Sequence, residues 1–148
     1  MERHKGNVKV DKFDIMELID KSLLDKVSTE AQQNPRLRMN YNFHTSMDAK
    51  SQRLLNALQP STVLAVHRHP HTAETYVLLR GRLKVLFYND LGEITETAVL
   101  DPLKGMYGIN IPAGQWHTVE VLEPDTVIYE TKDGPYMPLG NEDILNIL

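Results

Sequence analysis

His67-Arg68-His69-Pro70-His71-Thr72-Ala73-Glu74 gathers three of the chain's six histidines and one carboxylate into eight residues. The runs on both sides read as β-strands. Successive side chains of a strand point to opposite faces, so His67 and His69 share one. Two imidazoles from one strand and a carboxylate across a tight turn make half of a site for a divalent metal. Imidazole with carboxylate suits Mn, Fe, Co, Ni or Zn. The competing reading is a solvent-exposed polar patch. Glu74 at its offset, Gly81 and the separate run Pro112-Ala113-Gly114-Gln115-Trp116-His117 weigh against it.

The spacing His67-x-His69, then Glu74, then Gly81 resembles the first motif of the cupin superfamily, and Pro112-x-Gly114-x-x-His117 resembles the second. The resemblance implies a small β-barrel holding one divalent metal ion (Zn, Fe, Mn or Ni), with His67, His69, Glu74 and His117 as ligands. Three departures stand beside it. Ser61 occupies the position of the glycine that usually opens the first motif. Gly105 lies seven residues before Pro112 rather than six, and Val121 stands where an asparagine often follows the last histidine.

Outward from this stretch, short strands follow one another with turn residues between them. They are expected at 53–58, 62–69, 74–79, 82–88, 94–100, 106–111, 116–122 and 126–131. Such spacing argues for an all-β sandwich or barrel. A single-domain cupin-type jelly roll with an N-terminal α-helix is the specific expectation. Asp14 with Glu17 resembles a capping box, and Met16, Ile19, Leu23 and Val27 form an apolar stripe, so the pattern predicts a helix over 14–34. Asn34-Pro35 stops it. Residues 1–13 read as a tail with a short edge strand near Val8, 35–138 as the barrel, and 139–148 as a C-terminal tail with a short helix or strand near Ile144.

Arg36 to Ser46 alternates, with Arg38, Asn40, Asn42 and His44 on one face and Leu37, Met39, Tyr41 and Phe43 on the other. The polar face belongs either to water or to the barrel mouth, where it would hold a polar or anionic substrate. Arg38, Asn42, Arg53 and His71 are therefore candidate substrate contacts. His44 is a candidate extra ligand or proton shuttle, and Tyr76, on the face of Glu74, a candidate to touch substrate. Trp116 precedes a ligand by one residue and so faces the other way, into packing.

The chain's 148 residues suffice for one domain with a real core. A composition 41% hydrophobic and 24% charged is that of an ordinary globular protein. A net charge of −4 implies no general affinity for nucleic acid. The absence of cysteine excludes disulfides, thiolate ligands and a cysteine nucleophile. No run approaches the ~20 apolar residues of a membrane span, and no leader is visible, so a cytoplasmic protein is expected.

A longer series resembles the WbuC family of cupin-fold metalloproteins. It runs Asn34-Pro35-Arg36-x-Arg38, Asn42-x-His44, Gln52-Arg53-Leu54, Ala57-Leu58-Gln59-Pro60 and His67-Arg68-His69-Pro70. It continues with Pro112-x-Gly114-x-Trp116-His117-Thr118-Val119 and Glu130-x-Lys132-x-Gly134-Pro135-Tyr136. That resemblance implies a surface-polysaccharide context and a small-molecule ligand in the barrel, such as a sugar or sugar nucleotide. The readings that follow are a metal-dependent isomerase or epimerase, a non-catalytic binding module, an Fe-dependent dioxygenase, or a structural subunit with a vestigial site. Edge-strand pairing of sandwiches makes a homodimer the expected assembly.

Overall fold

The computed structural model describes residues 16–146. Helix α1 spans Lys21–Gln33 and is followed by β1 (Arg38–Asn42), β2 (Ser51–Leu58), β3 (Val66–His67), β4 (Glu74–Arg80) and β5 (Leu83–Tyr88). The rest is β6 (Ile94–Leu100), β7 (Gly108–Ile111), β8 (Trp116–Val121), β9 (Thr126–Asp133) and β10 (Ile144–Leu145), with 3-10 turns at Pro102–Lys104 and Asn141–Asp143. Two five-stranded antiparallel sheets form, in the orders β1-β2-β9-β4-β7 and β10-β3-β8-β5-β6. Their inner faces meet in a core of Leu58, Tyr76, Leu78, Leu83, Val85, Leu100, Ile111, Val119, Val121 and Ile128.

Alternation sets what each strand sends inward. On β9, Ile128, Glu130 and Lys132 share the inner face, while Val127 and Tyr129 belong to the outer one. The outer face of the first sheet is closed by α1, whose Val27 and Ala31 pack on Leu55, Ala57 and Val127, flanked by Leu23, Leu24, Met39, Tyr41 and Phe43. Leu23, Val27 and Ala31 repeat every four residues and so form one stripe. Arg80 bolts the helix to the barrel: its guanidinium donates to Asp25 at 2.6 Å, Ser28 at 2.9 Å and the Asp125 carbonyl at 2.9 Å.

Several boundaries differ from those expected. The helix begins at Lys21, because Asp20 is the residue that caps it, accepting from Leu23 N at 2.9 Å. Met16 (84% exposed) and Ile19 (48%) precede the cap and do not join the buried stripe. Asp14 and the edge strand near Val8 lie outside the described residues. The strand expected over 62–69 pairs only at Val66–His67, so His69 sits in the loop beyond it. Pro70 has no N–H to extend a ladder, and the Arg68 N–H goes instead to the Asp143 carbonyl at 3.0 Å. The C-terminal segment is part of the sandwich, since β10 pairs with β3 through Ile144↔His67.

Two turns carry left-handed backbone that the cupin-like spacing foreshadows. Gly81 has φ +92°, and a Cβ there would collide with Thr126. Ser61, in the glycine position of the first motif, also adopts positive φ, at +76°. No helix among the described residues is long and apolar enough to cross a membrane.

Candidate metal centre

The four expected ligands converge at one end of the sandwich. His67 and His117 are direct cross-strand partners on β3 and β8, with ring centroids 4.4 Å apart. His69 stands 5.3 Å from His67, centroid to centroid, and its carbonyl accepts the Gly114 N–H at 2.9 Å, which ties the second motif to the first. Glu74 comes from the opposite sheet, at the start of β4. Its Oε1 lies 2.7 Å from His117 Nε2 and its Oε2 lies 3.6 Å from His69 Nε2. One potential ligand atom from each of the four lies within 4.8 Å of all the others. Donors each about 2.1 Å from one ion are roughly 3 to 4 Å apart, so the set is the right size for a single ion.

The hydrogen bonds choose the tautomers. His67 Nδ1 is 2.9 Å from the Ala65 carbonyl, and His117 Nδ1 is 2.8 Å from the Gln115 carbonyl. A carbonyl only accepts, so Nδ1 carries the hydrogen in both rings and Nε2 is left as a lone pair aimed inward. His117 Nε2 is buried and, despite the nearby Glu74 oxygen, has no hydrogen-bond partner. An imidazole lone pair and a carboxylate oxygen 2.7 Å apart repel unless a proton or a cation lies with them. Such a pairing of backbone carbonyl, imidazole and inward lone pair is how metal-binding histidines are oriented.

Electrostatics point the same way. The Glu74 and His117 side chains are each 1% exposed and that of His69 17%. Burial, against the opposing charge of Glu74, holds His67 below the ordinary histidine value and His69 down to about 4, so both rings are neutral at pH 7. Burial alone would raise the Glu74 carboxyl, but His117 and His69, whenever they carry a proton, and Lys132 hold it below its usual range. A buried carboxylate facing three imidazoles is a site for positive charge. The residues present thus fit a divalent ion.

The remaining expected site residues are distributed differently. Tyr76 is buried and donates its hydroxyl to Glu74 Oε1 at 3.0 Å, so it orients that carboxylate. Burial, with the charges of Glu74 and Glu130, raises its pKa well above the ordinary value. His44 is buried beside Arg53 of β2, its Nδ1 accepting the Arg53 N–H at 3.1 Å. Strand β9 separates β2 from β4, so His44 stands roughly 10 Å or more from Glu74 and does not join the ligands. Arg53 itself alternates with inward Leu54, is exposed, and points away from the barrel interior. Arg38 faces inward but pairs with Leu58, at the far end of the sheet, where it donates to the Val63 carbonyl at 3.0 Å. Asn42 shares the inner face with Leu54, Glu130 and Tyr76 in one row of the sheet, next to the metal end. His71 is exposed and lines the cavity described next.

That cavity, of about 480 Å³, opens beside His69. Its walls come from the loop of Arg68 to Thr72, the end of β9, and the segment from Pro135 to Asp143. Trp116 lies behind it, its indole N–H bonded to Asp90 at 2.8 Å and its ring covered by the Arg68 guanidinium at 4.3 Å, in the packing role expected of it. Sequence reasoning assigned no role to Glu130 and Lys132, which β9 places on the inner face beside Tyr76 and Glu74. Glu130 is buried and bonded to Asn56 at 3.1 Å, and burial together with the Glu74 charge pushes its carboxyl up. The available signal was their i, i+2 spacing, which fixes a shared face without naming which face.

The family model described as a domain of unknown function (DUF6016) matches residues 19–100. No curated protein matches the chain. Among solved structures, KdgF from Halomonas sp. superposes with a TM-score of 0.54 at 16% identity, over 70% of this chain and 84% of that one. A cupin 2 domain-containing protein from Halorhodospira halophila gives 0.52 at 10% identity, over 67% and 65%. The capsular polysaccharide assembling protein CapF from Staphylococcus aureus gives 0.51 at 22% identity, over 71% of this chain and 28% of that one. At these identities the likeness is one of fold, and the fold is the cupin jelly roll.

Proposed function

This chain belongs to the family described as a domain of unknown function (DUF6016), and because membership assigns no reaction, we propose from the site itself that it is a divalent-metal-dependent cupin acting on a small polar molecule. The observation that carries the reading is the convergence of three imidazoles and the Glu74 carboxylate, two of the imidazoles with their Nε2 lone pairs set by backbone carbonyls, at the edge of a cavity of about 480 Å³. His67, His69, His117 and Glu74 would hold one ion. When bound, that ion supplies Lewis acidity toward a substrate oxygen at its open positions. The chain's own part is to orient and to exclude water. Tyr76 fixes Glu74, the Ala65 and Gln115 carbonyls fix two rings, and the apolar wall of Pro70, Pro135, Met137, Pro138 and Leu139 encloses the ligand.

A sugar or sugar nucleotide is the proposed substrate class, with the WbuC-like residue series as its support and isomerisation or epimerisation as the reaction. A second reading, binding without turnover, has a specific observation in its favour. The two side chains expected to move protons are both engaged: His44 by the Arg53 backbone and Tyr76 by Glu74. One experiment separates the two. Protein loaded with Zn²⁺, Mn²⁺ or Fe²⁺ is incubated with a panel of sugars, sugar acids and sugar nucleotides and followed by proton NMR, with oxygen uptake recorded for the iron form. Metal-dependent conversion supports the enzyme, and saturable line broadening without conversion supports the binding module. A panel that neither binds nor reacts sinks the proposed substrate class.

A further inference from the structure

Glu130-x-Lys132 on β9 takes no part in the ligand set, yet Lys132 faces it. Lys132 is the direct cross-strand partner of Glu74 on β4 and of Gln52 on β2. Opposed residues of an antiparallel pair have Cβ atoms about 5 Å apart on the same face. The same lysine lines the cavity together with His69. Among the described residues no carboxylate lies within ion-pair distance of its ammonium, not even Glu74, whose two oxygens are turned toward His117 and His69. The other cation of the cavity wall is committed: Arg68 is paired with Asp143 at 3.1 Å and stacked on Trp116.

None of the wall's carboxylates is ion-paired with that ammonium among the described residues. Asp143 is held by Arg68, while Asp133 and Glu142 also line the cavity and are exposed to solvent. Lys132 therefore presents, beside the proposed ion, a positive charge with no ion-pair partner, which acts on the buried Glu74 and Glu130 carboxylates, in a wall that mixes apolar and polar side chains. A diphosphate is usually met by several cations, arginine forks or a helix N-terminus. Here one ammonium is free, and α1 packs on the outer face of the first sheet.

We propose that Lys132 is the specificity-determining residue of the site and that the ligand is a small monocarboxylate bearing a neighbouring oxygen donor, a hydroxy or keto acid. The assignment rests on the metal reading above. With an ion held by the four side chains, the donor oxygen and one carboxylate oxygen would fill its open positions, and the second carboxylate oxygen would accept from Lys132. This narrows the proposed substrate from sugars at large to their acids, and away from sugar nucleotides.

The test uses the whole chain loaded with Co²⁺, whose visible absorption reports ligand exchange. Wild type, Lys132→Met and Lys132→Arg are titrated with glycolate, with its neutral isostere glycolamide, and with inorganic phosphate. Removing a positive charge from beside a cation site does not weaken cobalt uptake, so Lys132→Met loads at least as well as wild type. Glycolate affinity should fall about tenfold or more in Lys132→Met, the loss of one charge-assisted hydrogen bond, and recover in Lys132→Arg, with glycolamide unchanged throughout. Equal glycolate affinity in wild type and Lys132→Met overturns the role of Lys132 while leaving the metal reading intact. Phosphate binding tighter than glycolate, and dependent on Lys132, overturns the carboxylate assignment. Failure of the wild type to take up cobalt overturns both.

Discussion

Replacing Tyr76 with phenylalanine removes one oxygen and nothing else from the barrel. That oxygen is buried and donates to Glu74 Oε1 at 3.0 Å. Hydrogen bonds to charged groups contribute about 1.5 to 3 kcal/mol, and water cannot replace this one. In the metal-free protein the loss, about 2 kcal/mol, corresponds to a Tm lower by about 4 to 8 °C for a domain of this size. A second consequence is separable from stability. Glu74 loses the donor that sets its angle, so it should bind a divalent ion about ten- to a hundredfold more weakly, as when an outer partner of a metal ligand is removed. Differential scanning calorimetry of the metal-free variant and competition for Zn²⁺ against a chromophoric chelator read the two effects. Tyr129→Phe, altered on the outer face beneath α1, is the control and should leave zinc affinity unchanged. A Tyr76→Phe protein with wild-type Tm and wild-type zinc affinity would refute the argument that the hydroxyl organises the ligand carboxylate.

Two other outcomes are expected. Gly81→Ala forces a side chain into φ +92° and against Thr126, and should destabilise by about 3 kcal/mol or more, visible as loss of soluble protein or a lower urea midpoint; a wild-type midpoint would show that the turn is less constrained. In the metal-free protein the His69 contribution to stability should fall as pH drops from about 6.5 toward 4, while Glu130, its carboxyl pushed up to about 7 by burial, works in the opposite direction over the same window. Over that window the unfolded chain takes a proton on His69 that the folded chain, with the group held down to about 4, refuses, at a cost of about 3 kcal/mol. Urea titrations at pH 7 and 4.5 on the wild type and His69→Gln isolate that contribution, and the variant should lose less stability, or gain more, between the two pH values than the wild type; the same change in both proteins would contradict the burial of the ring.

What the sequence made legible follows from how far apart the interacting residues lie. His67, His69 and Glu74 fall within eight residues, and period-two alternation with a turn between them brings them to one place without knowledge of the rest of the fold. His117 was reachable because Pro112 and Gly114 mark a turn just before it. The helix start at Asp20 was not legible in the sequence, because it is tied to the packing of Leu23, Val27 and Ala31 on Leu55 and Val127, which local spacing does not show. The true neighbours of His44, Arg53 and Lys132 depend on long-range order. β9 inserts between β2 and β4, and that pairing carries His44 away from Glu74 while setting Lys132 opposite it. Period two shows that Arg53 and Leu54 face opposite ways, but Leu55 on Arg53's side is also buried, beneath α1, so hydrophobicity alone does not say which faces in. β10 has two residues and no periodicity to read, yet its segment walls the cavity.

The central claim is that His67, His69, Glu74 and His117 hold one divalent ion. Metal content of the protein purified without added metal, measured by inductively coupled plasma mass spectrometry beside a His67→Ala/His117→Ala variant, tests it most directly. The account predicts close to one equivalent of a single first-row metal in the wild type and none in the variant. A wild-type protein that carries no metal and takes none up on reconstitution would contradict it.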